Sequence, residues 1–261
     1  MGARRLLSYP LSLAVVVAAL IAATGGWIAW WNYRSGLANI RTLASGLFDQ
    51  VARQTAGSTE AFLDRAPPAA AALAGIVAID EGGPDALALR CLAVLRANEG
   101  FAWVSYSDRD GRFTGALRTK TGFRINRSSI VDGATVRREH EVAADGTLVP
   151  IRPVAATAYD PRTRPFYALA AAAPQGVWTP PYVFAGQLVP GITYALPHRA
   201  AGPGGELRGV FTIDFDLARL SDLARELRFS PGGRVVVLSG DIVLAHPTAP
   251  IVRPARGGGE P

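Results

Sequence analysis

The sequence is poor in the residues that most often carry catalysis, metal binding or disulfide bonding. Its 261 residues include one cysteine, Cys91, and three histidines that lie far apart. A single cysteine cannot form an intramolecular disulfide, and the apolar pattern LALRCLAVL around Cys91 predicts a small buried side chain. The HExxH, CxxC, GxSxG and P-loop patterns are also missing. We therefore expect no enzyme activity, no metal site and no cofactor in this chain.

Lysine is nearly absent as well, since Lys120 is the only one, and the net charge of +6 comes from arginine. The arginines form no basic run of the kind that binds nucleic acid, so we expect no nucleic-acid partner. The sequence is 49% hydrophobic and 18% charged. This balance is typical of a folded chain and not of a disordered one.

Charge of either sign is missing from residues 6–33. Residues 11–33 are long and apolar enough to cross a membrane as a helix, and the aromatic residues at their C-terminal end are typical of a membrane interface. A cleaved signal peptide is the alternative, because Arg4 and Arg5 precede the run. Bulky residues stand where such a peptide would have small ones. We therefore predict a transmembrane anchor after a cytoplasmic segment, residues 1–10.

No second apolar run of comparable length follows, so the rest of the chain is expected to lie on one side of the membrane. Arginines flank both ends of the anchor, and their pattern does not set its orientation. Apolar residues at spacings of three and four predict helices over 36–66, 69–79, 85–97 and 217–227. Between residues 101 and 214, short apolar runs separated by turn residues predict strands. These elements together predict an α+β fold.

The stretch 159–182, YDPRTRPFYALAAAAPQGVWTPPY, combines arginines, aromatic residues and prolines around an alanine-rich segment. Pro161 and Pro165 suit the start of a helix, and Pro174 and Gly176 end it. Arginine offers a planar fork of donors to a carboxylate, and aromatic rings can form the walls of a pocket. We interpret the stretch as half of a binding pocket. The alternative is a helix with core aromatics and solvated arginines.

The order of a long helix, a hairpin, DPRTRPFY, WTPPY, GVFTIDFDLARLSDL and VVVLSGDIVLAHP resembles the double Cache family of bacterial extracytoplasmic sensor domains. The resemblance implies a membrane helix, a long helix, and a membrane-distal PAS-like antiparallel sheet with flanking helices over residues 34–230. It also implies a smaller membrane-proximal module. Residues 231–247 supply only the opening hairpin of that module, and a Pro/Gly-rich tail, 248–261, follows.

Members of this family usually continue into a cytoplasmic output, namely a chemoreceptor signalling region, a histidine kinase or a nucleotide cyclase. The sequence contains none of these, so we expect either a truncated chain or a sensor remnant, with the output absent in both cases. The resemblance places residues 34–261 outside the cytoplasm, on a single-pass protein of the plasma (inner) membrane. It further implies that two copies pair through the long N-terminal helix.

The resemblance implies that six residues contact the ligand: Tyr159, Arg164, Phe166, Tyr167, Tyr182 and Asp214. The first four match a spacing shared by Cache sensors for amino acids and related amines, with phenylalanine at 166 in place of the common tryptophan. Arg164 would hold a ligand carboxylate, and Asp214 would meet a ligand ammonium. Phe184 departs from the pattern, because some members have an acidic residue there.

Several alternatives stay open for this site. Arg164 could form a structural salt bridge with Asp214 or Asp160, and Trp178 could belong to the core or to the pocket wall. Asp160 and Arg162 are expected to cap and brace the helix entrance. We thus predict a sensor for an amino acid, an amine or a carboxylate. The alternative is an anchored envelope protein with a structural or scaffolding role and a degenerate pocket.

Overall fold

A computed structural model describes residues 9–79, 83–151, 154–185, 189–202, 204–226, 236–239, 242–246 and 248. Most of the predicted N-terminal segment and nearly all of the predicted tail lie outside the described residues. The chain divides into two units, Met1–Gln54 and Thr55–Pro261. The described residues combine helices with an antiparallel sheet, which confirms the predicted α+β class.

The helices are α1 (Tyr9–Leu63), α2 (Ala66–Ile79), α3 (Gly83–Ala97), α4 (Pro165–Ala172) and α5 (Leu217–Glu226), and a 3₁₀ turn covers Pro161–Thr163. The first six strands are β1 (Trp103–Asp108), β2 (Phe113–Arg118), β3 (Phe123–Val131), β4 (Ala134–Val142), β5 (Leu148–Pro150) and β6 (Val154–Thr157). The remaining strands are β7 (Val177–Trp178), β8 (Tyr182–Val183), β9 (Pro190–Arg199), β10 (Leu207–Asp216), β11 (Val237–Ser239) and β12 (Ile242–Ala245).

The described part of the first unit is helical and belongs to α1. Its large apolar side chains are exposed, both in the predicted anchor and at Leu37, Ile40, Leu43 and Leu47. Within the described ranges, this N-terminal helical segment is the one stretch that could cross a membrane, judged by length and composition. The predicted long apolar helix is therefore confirmed, and the membrane crossing stays a prediction.

The second unit is built around one antiparallel sheet in the order β5-β4-β3-β2-β1-β10-β9-β7, with β6 paired to β4 and β8 paired to β9. Tight turns join its hairpins. Asp132 and Gly133 connect β3 to β4 with φ angles of 50° and 78°, which the right-handed twist of the two strands favours. Gly146, with φ of 88°, lies in the turn that joins β4 to β5, directly after Asp145.

The sheet separates an apolar side from a polar side, because successive residues of a strand point to opposite faces. On the apolar side, α2, α3 and α5 cover Val104, Phe211 and Ile213, which are fully buried. Cys91 lies in this core, and burial raises the pKa of its thiol to about 12, as expected for a packing residue. On the polar side, α4 packs on β9 and β10 and leaves the rest of that face to a cavity.

The hairpin predicted around residues 235–246 is present as β11 and β12, which form a separate two-stranded sheet. Part of its predicted turn lies outside the described residues. The hairpin packs on α5, with Leu244 and Ala245 buried in the main core cluster. The amide N–H of His246 donates to Ser221 Oγ at 3.3 Å, which fixes the strand end to the helix.

Candidate ligand-binding site

The stretch 159–182 folds into a capped turn followed by a short helix. The carboxylate of Asp160 accepts a hydrogen bond from the amide N–H of Arg162, at the entrance of the 3₁₀ turn. The guanidinium of Arg162 binds the same carboxylate, with Nη2 2.8 Å from Oδ2, and this hydrogen bond holds the pKa of Asp160 below its usual value. The prediction that Asp160 and Arg162 cap and brace the entrance is confirmed.

A cavity of about 600 Å³ lies against the polar face of the sheet. Described residues of the stretch 158–185 that line it are Ala158, Tyr159, Arg164, Phe166, Tyr182, Val183, Phe184 and Ala185. The sheet contributes Trp103, Ser105, Phe113, Asn126, Ser128, Thr135, Arg137, Thr212 and Asp214. Five of the six residues predicted to contact a ligand are thus brought together around one space large enough for an amino acid.

Arg164 is held at the cavity with its charge available. It is the N-cap residue of α4, but its side chain makes no capping hydrogen bond. Instead, Nη2 donates to the carbonyl of Val183 at 2.6 Å, and the guanidinium carbon lies 5.6 Å from the centre of the Tyr182 ring. Among the described residues, no carboxylate lies within 4.0 Å of its nitrogens, so the alternative of a structural salt bridge with Asp160 or Asp214 is not what the structure shows.

Asp214 is held on β10 between β1 and β9 by a chain of hydroxyl groups. Thr193 Oγ1 donates to Asp214 Oδ1 at 2.8 Å, and the hydroxyl of Tyr182 lies 2.7 Å from Thr193 Oγ1. Burial raises the pKa of Asp214 to about 7, and the hydrogen bond from Thr193 opposes this shift. Near neutral pH, the carboxyl therefore changes easily between its charged and neutral forms. A nearby ligand cation would favour the charged form.

Tyr159 lines the cavity and is held against the sheet. Its carbonyl accepts a hydrogen bond from the hydroxyl of Thr135, and its ring centre lies 6.2 Å from that of Phe113. Burial raises the pKa of its phenol, while the charges of Arg164 and Asp214 act on it with opposite signs. Tyr159 therefore stays protonated at neutral pH and can donate a hydrogen bond into the cavity.

Aromatic rings form the apolar walls. Phe166, which is 5% exposed, extends from α4 into the lining. Phe184 also lines the cavity, and its ring centre lies 5.2 Å from that of Tyr182. Some Cache sensors have an acid at the position of Phe184, whereas this chain has an apolar ring there and no charge. Asp214 is the one carboxylate among the described lining residues.

Tyr167 is not brought to the cavity with the other predicted residues. It packs between α4 and the sheet in a cluster with Ala170, Ala195 and Val210, outside the described lining. Successive residues of an α-helix point about 100° apart, so a helix that turns Phe166 into the cavity turns Tyr167 elsewhere. Trp178 belongs to the core, since its ring lies 5.3 Å from Tyr194 and 5.7 Å from Phe215.

Apart from Asp214, the floor of the cavity was not predicted from the sequence. It consists of polar residues two apart on four strands: Ser105 after Trp103, Asn126 before Ser128, Thr135 before Arg137, and Thr212 before Asp214. Gly115 stands between Asn126 and Ser105 in the ladder, because it is opposite the first on β3 and the second on β1. The period-two spacing of these polar residues was the available signal, since a buried strand normally alternates apolar with solvated residues.

The fold of this chain is similar to that of solved ligand-binding domains of bacterial chemoreceptors. No family model matches the sequence. Solved structures do match this chain, and they confirm the predicted resemblance to Cache sensor domains at the level of the fold.

Three of these structures show the extent of the similarity. The ligand-binding domain of the Pseudomonas aeruginosa PAO1 amino acid chemoreceptor PctB in complex with L-Gln is 24% identical, with a TM-score of 0.52 over 78% of this chain and 69% of that chain. The P. aeruginosa chemoreceptor PctC domain in complex with GABA is 23% identical, with a TM-score of 0.54 over 79% and 78%. The Campylobacter jejuni chemoreceptor Tlp3 domain in complex with 4-methylisoleucine is 13% identical, with a TM-score of 0.51 over 80% and 71%. All three are ligand-binding domains and not catalytic domains.

Proposed function

We propose that this chain is a membrane-anchored sensor that binds a small carboxylate-bearing ligand, an amino acid or a related amine or organic acid, in the cavity of its second unit. The observation that carries the proposal is the guanidinium of Arg164, which faces a ligand-sized cavity without a carboxylate partner among the described residues. The side chain of Arg164 is half-buried, and a ligand anion would supply the charged partner that it lacks among the described residues.

The rest of the site suits the other groups of such a ligand. Asp214 can accept an ammonium, and the phenols of Tyr159 and Tyr182 can donate to a carboxylate. The ligands bound to PctB and PctC, L-Gln and GABA, each carry both an amine and a carboxylate, which supports the same division of roles here. A ligand without an amine would bring no cation to favour the charged form of Asp214.

In this proposal, residues 11–33 cross the inner membrane once and residues 34–261 lie outside the cytoplasm. Residues 34–230 form the membrane-distal module, and 231–247 begin the proximal one. The exposed apolar side chains of α1 suit both the membrane and the pairing of two copies. The signal would reach a cytoplasmic output of chemoreceptor, kinase or cyclase type.

The test is a thermal-shift screen of the full chain in detergent against amino acids, amines and organic acids. We expect at least one carboxylate ligand to raise the melting temperature. Arg164→Ala should weaken its binding by about 10- to 100-fold, because a charged hydrogen bond is lost. Arg162→Ala is the matched control, since Arg162 is paired with Asp160 and lies outside the described lining.

Two outcomes would contradict the proposal. If the folded protein shows no shift with any ligand, the anchored envelope protein with a structural role becomes the better explanation. If a carboxylate ligand binds Arg164→Ala as tightly as it binds the wild type, the site does not recognise the carboxylate through Arg164.

A further inference from the structure

The lining of the cavity contains three buried polar atoms that have no hydrogen-bond partner in the described part of the protein. They are Trp103 Nε1, Asn126 Oδ1 and Arg137 Nε. Trp103 and Asn126 are only 8% and 7% exposed, and all three residues line the cavity. Buried donors and acceptors normally find partners, because leaving one unpaired costs about 1–3 kcal/mol.

These residues are neighbours in the sheet. Arg137 on β4 stands opposite Ser128 on β3, and Asn126 is the next residue on the same face of β3. Phe113 on β2 stands opposite Ser128 and packs edge-on against the ring of Trp103, with centres 5.8 Å apart. Arg137 and Asn126 are thus close neighbours on one face of the sheet, and the Trp103 ring approaches them through Phe113.

Arg137 shares its carboxylate neighbour with a second arginine. Arg137 Nε lies 3.3 Å from Glu139 Oε1, but without the geometry of a hydrogen bond. Glu139 also pairs with Arg124, whose Nη1 is 3.5 Å from Oε2. Two guanidinium groups thus share one carboxylate, while the other nearby acid, Glu141, stands opposite Arg124 and is exposed.

An acceptor that carries negative charge would best satisfy the unpaired donors. The indole N–H and the guanidinium N–H are both donors, and the amide of Asn126 can be turned so that its NH₂ donates to the same group. A carboxylate satisfies two or three donors and balances the charge, whereas a ligand amide would satisfy the donors and leave the charge. An aliphatic ligand group would satisfy neither.

Arg137 lies far from the residues assigned to the first site. Arg137 and Asp214 stand on strands four steps apart, which is about 19 Å in a flat sheet. The guanidinium of Arg164 is tied to Val183 on β8, beyond β10 on the far side of the sheet. Trp103 stands between them, because its backbone is opposite Asp214 and its ring packs on Phe113. This spacing favours two anion positions in the cavity.

We propose that Arg137, Trp103 and Asn126 form a second carboxylate subsite, so that the ligand is a small dicarboxylic compound, either an acidic amino acid or a dicarboxylic acid without an amine. The inference rests on the proposed function, because it assigns the first carboxylate of the ligand to Arg164. It adds the chemical class of the group at the other end.

Calorimetric titration of the full chain in detergent tests this inference with matched probes. The pairs are L-glutamate with L-glutamine, L-aspartate with L-asparagine, and glutarate with butanoate. We expect at least one dicarboxylate to bind about 10- to 100-fold more tightly than its partner of similar length. The first two pairs identify an acidic amino acid as the source, and the third identifies an acid without an amine.

Variants assign the preference to the subsite. Arg137→Gln should reduce the preference for the dicarboxylate to about threefold or less, while Arg138→Gln, an exposed neighbour on the other face of β4, should leave it intact. Trp103→Phe removes the indole N–H and one ring of the indole, and it keeps an aromatic side chain. It should weaken dicarboxylate binding about 5- to 10-fold with little effect on the partner probe. This variant also tests the subsite if Arg137→Gln does not fold.

The outcomes separate the two proposals. If the amides and monoacids bind as tightly as the dicarboxylates and Arg164→Ala abolishes binding, the second subsite is wrong and the sensor stands. A dicarboxylate preference that survives both Arg137→Gln and Trp103→Phe also overturns the subsite. If no probe binds to the folded wild type, neither this inference nor the amino-acid and organic-acid sensor is supported.

Discussion

The two faces of the sheet differ sharply in chemistry although they share the same strands. On β10, Phe211 and Ile213 are fully buried against helices, while Thr212 and Asp214, each one residue further on, line the cavity. The apolar face closes the fold, and the polar face is free to recognise a ligand. Residues that stabilise the fold and residues that recognise a ligand therefore alternate along one strand, and distance along the chain does not separate them.

The largest expected effect belongs to the apolar face. Phe211→Ala removes a ring that is 0% exposed and in contact with Tyr106 and His198. We expect the free energy of unfolding to fall by about 3–5 kcal/mol, measured by denaturation of the full chain in detergent. Thr212→Ser, the neighbouring change on the polar face, deletes one methyl group and should cost about 1 kcal/mol or less. Equal losses for the two variants would remove the distinction between the faces.

The next effect belongs to the polar face and depends on pH. Since the folded-state pKa of Asp214 is raised to about 7, above an unfolded value near 4, the folded state holds the proton more tightly. The stability of the neutral carboxyl is present below about pH 4 and is lost as the pH rises through 7. Asp214→Asn stays neutral, so it should be more stable than the wild type by about 1 kcal/mol or more at pH 8, and by less at pH 5.

Melting curves of the wild type and Asp214→Asn at both pH values check this prediction. The difference between the two proteins matters, because other groups that titrate contribute equally to both. A difference in stability that is the same at pH 5 and pH 8 would show that Asp214 is charged throughout the range.

The smallest effects concern Asp160 and Arg162, which pair at the start of the stretch 159–182. Asp160→Ala removes the cap of the 3₁₀ turn and should lower the free energy of unfolding by about 1 kcal/mol. Arg162→Ala removes an exposed ion pair and should lower the free energy of unfolding by less than Asp160→Ala does. Neither change should alter ligand affinity by more than about threefold. If Arg162→Ala weakened binding as much as Arg164→Ala, both arginines would belong to the site.

Much of the fold could be predicted because its signals are local. Turn residues such as Asp145–Gly146, the helical spacing of 85–97 and the apolar strand 207–214 each depend on a few neighbouring residues, and the structure has all three. The distinction between Arg162 and Arg164 could also be drawn locally. Asp160, two residues before Arg162, offers that arginine a partner within the turn. Arg164 comes after the turn, and its guanidinium binds the carbonyl of Val183 instead.

The floor of the cavity could not be predicted in the same way, because it depends on the register between distant strands. Trp103 and Asp214 are opposite each other although 111 residues separate them in the sequence, and Ser128 reaches Arg137 only through the β3–β4 pairing. The position of Tyr167 depended on the rotation of α4, which is fixed by packing and not by the DPRTRPFY spacing. Single residues on separate strands become one site only after the sheet has formed.

Gly115 sets a limit on how this cavity can change. A Cβ atom at this position would lie 2.6 Å from Ser105 Cβ and 3.0 Å from the Val104 carbonyl oxygen, so even alanine would force β1 and β2 to move. The depth of the cavity is therefore locked by the spacing of two central strands. Its width is not, because rings such as Phe113, Phe166 and Phe184 can be exchanged for smaller or larger ones. Variation in ligand size among proteins with this floor would have to arise at the walls.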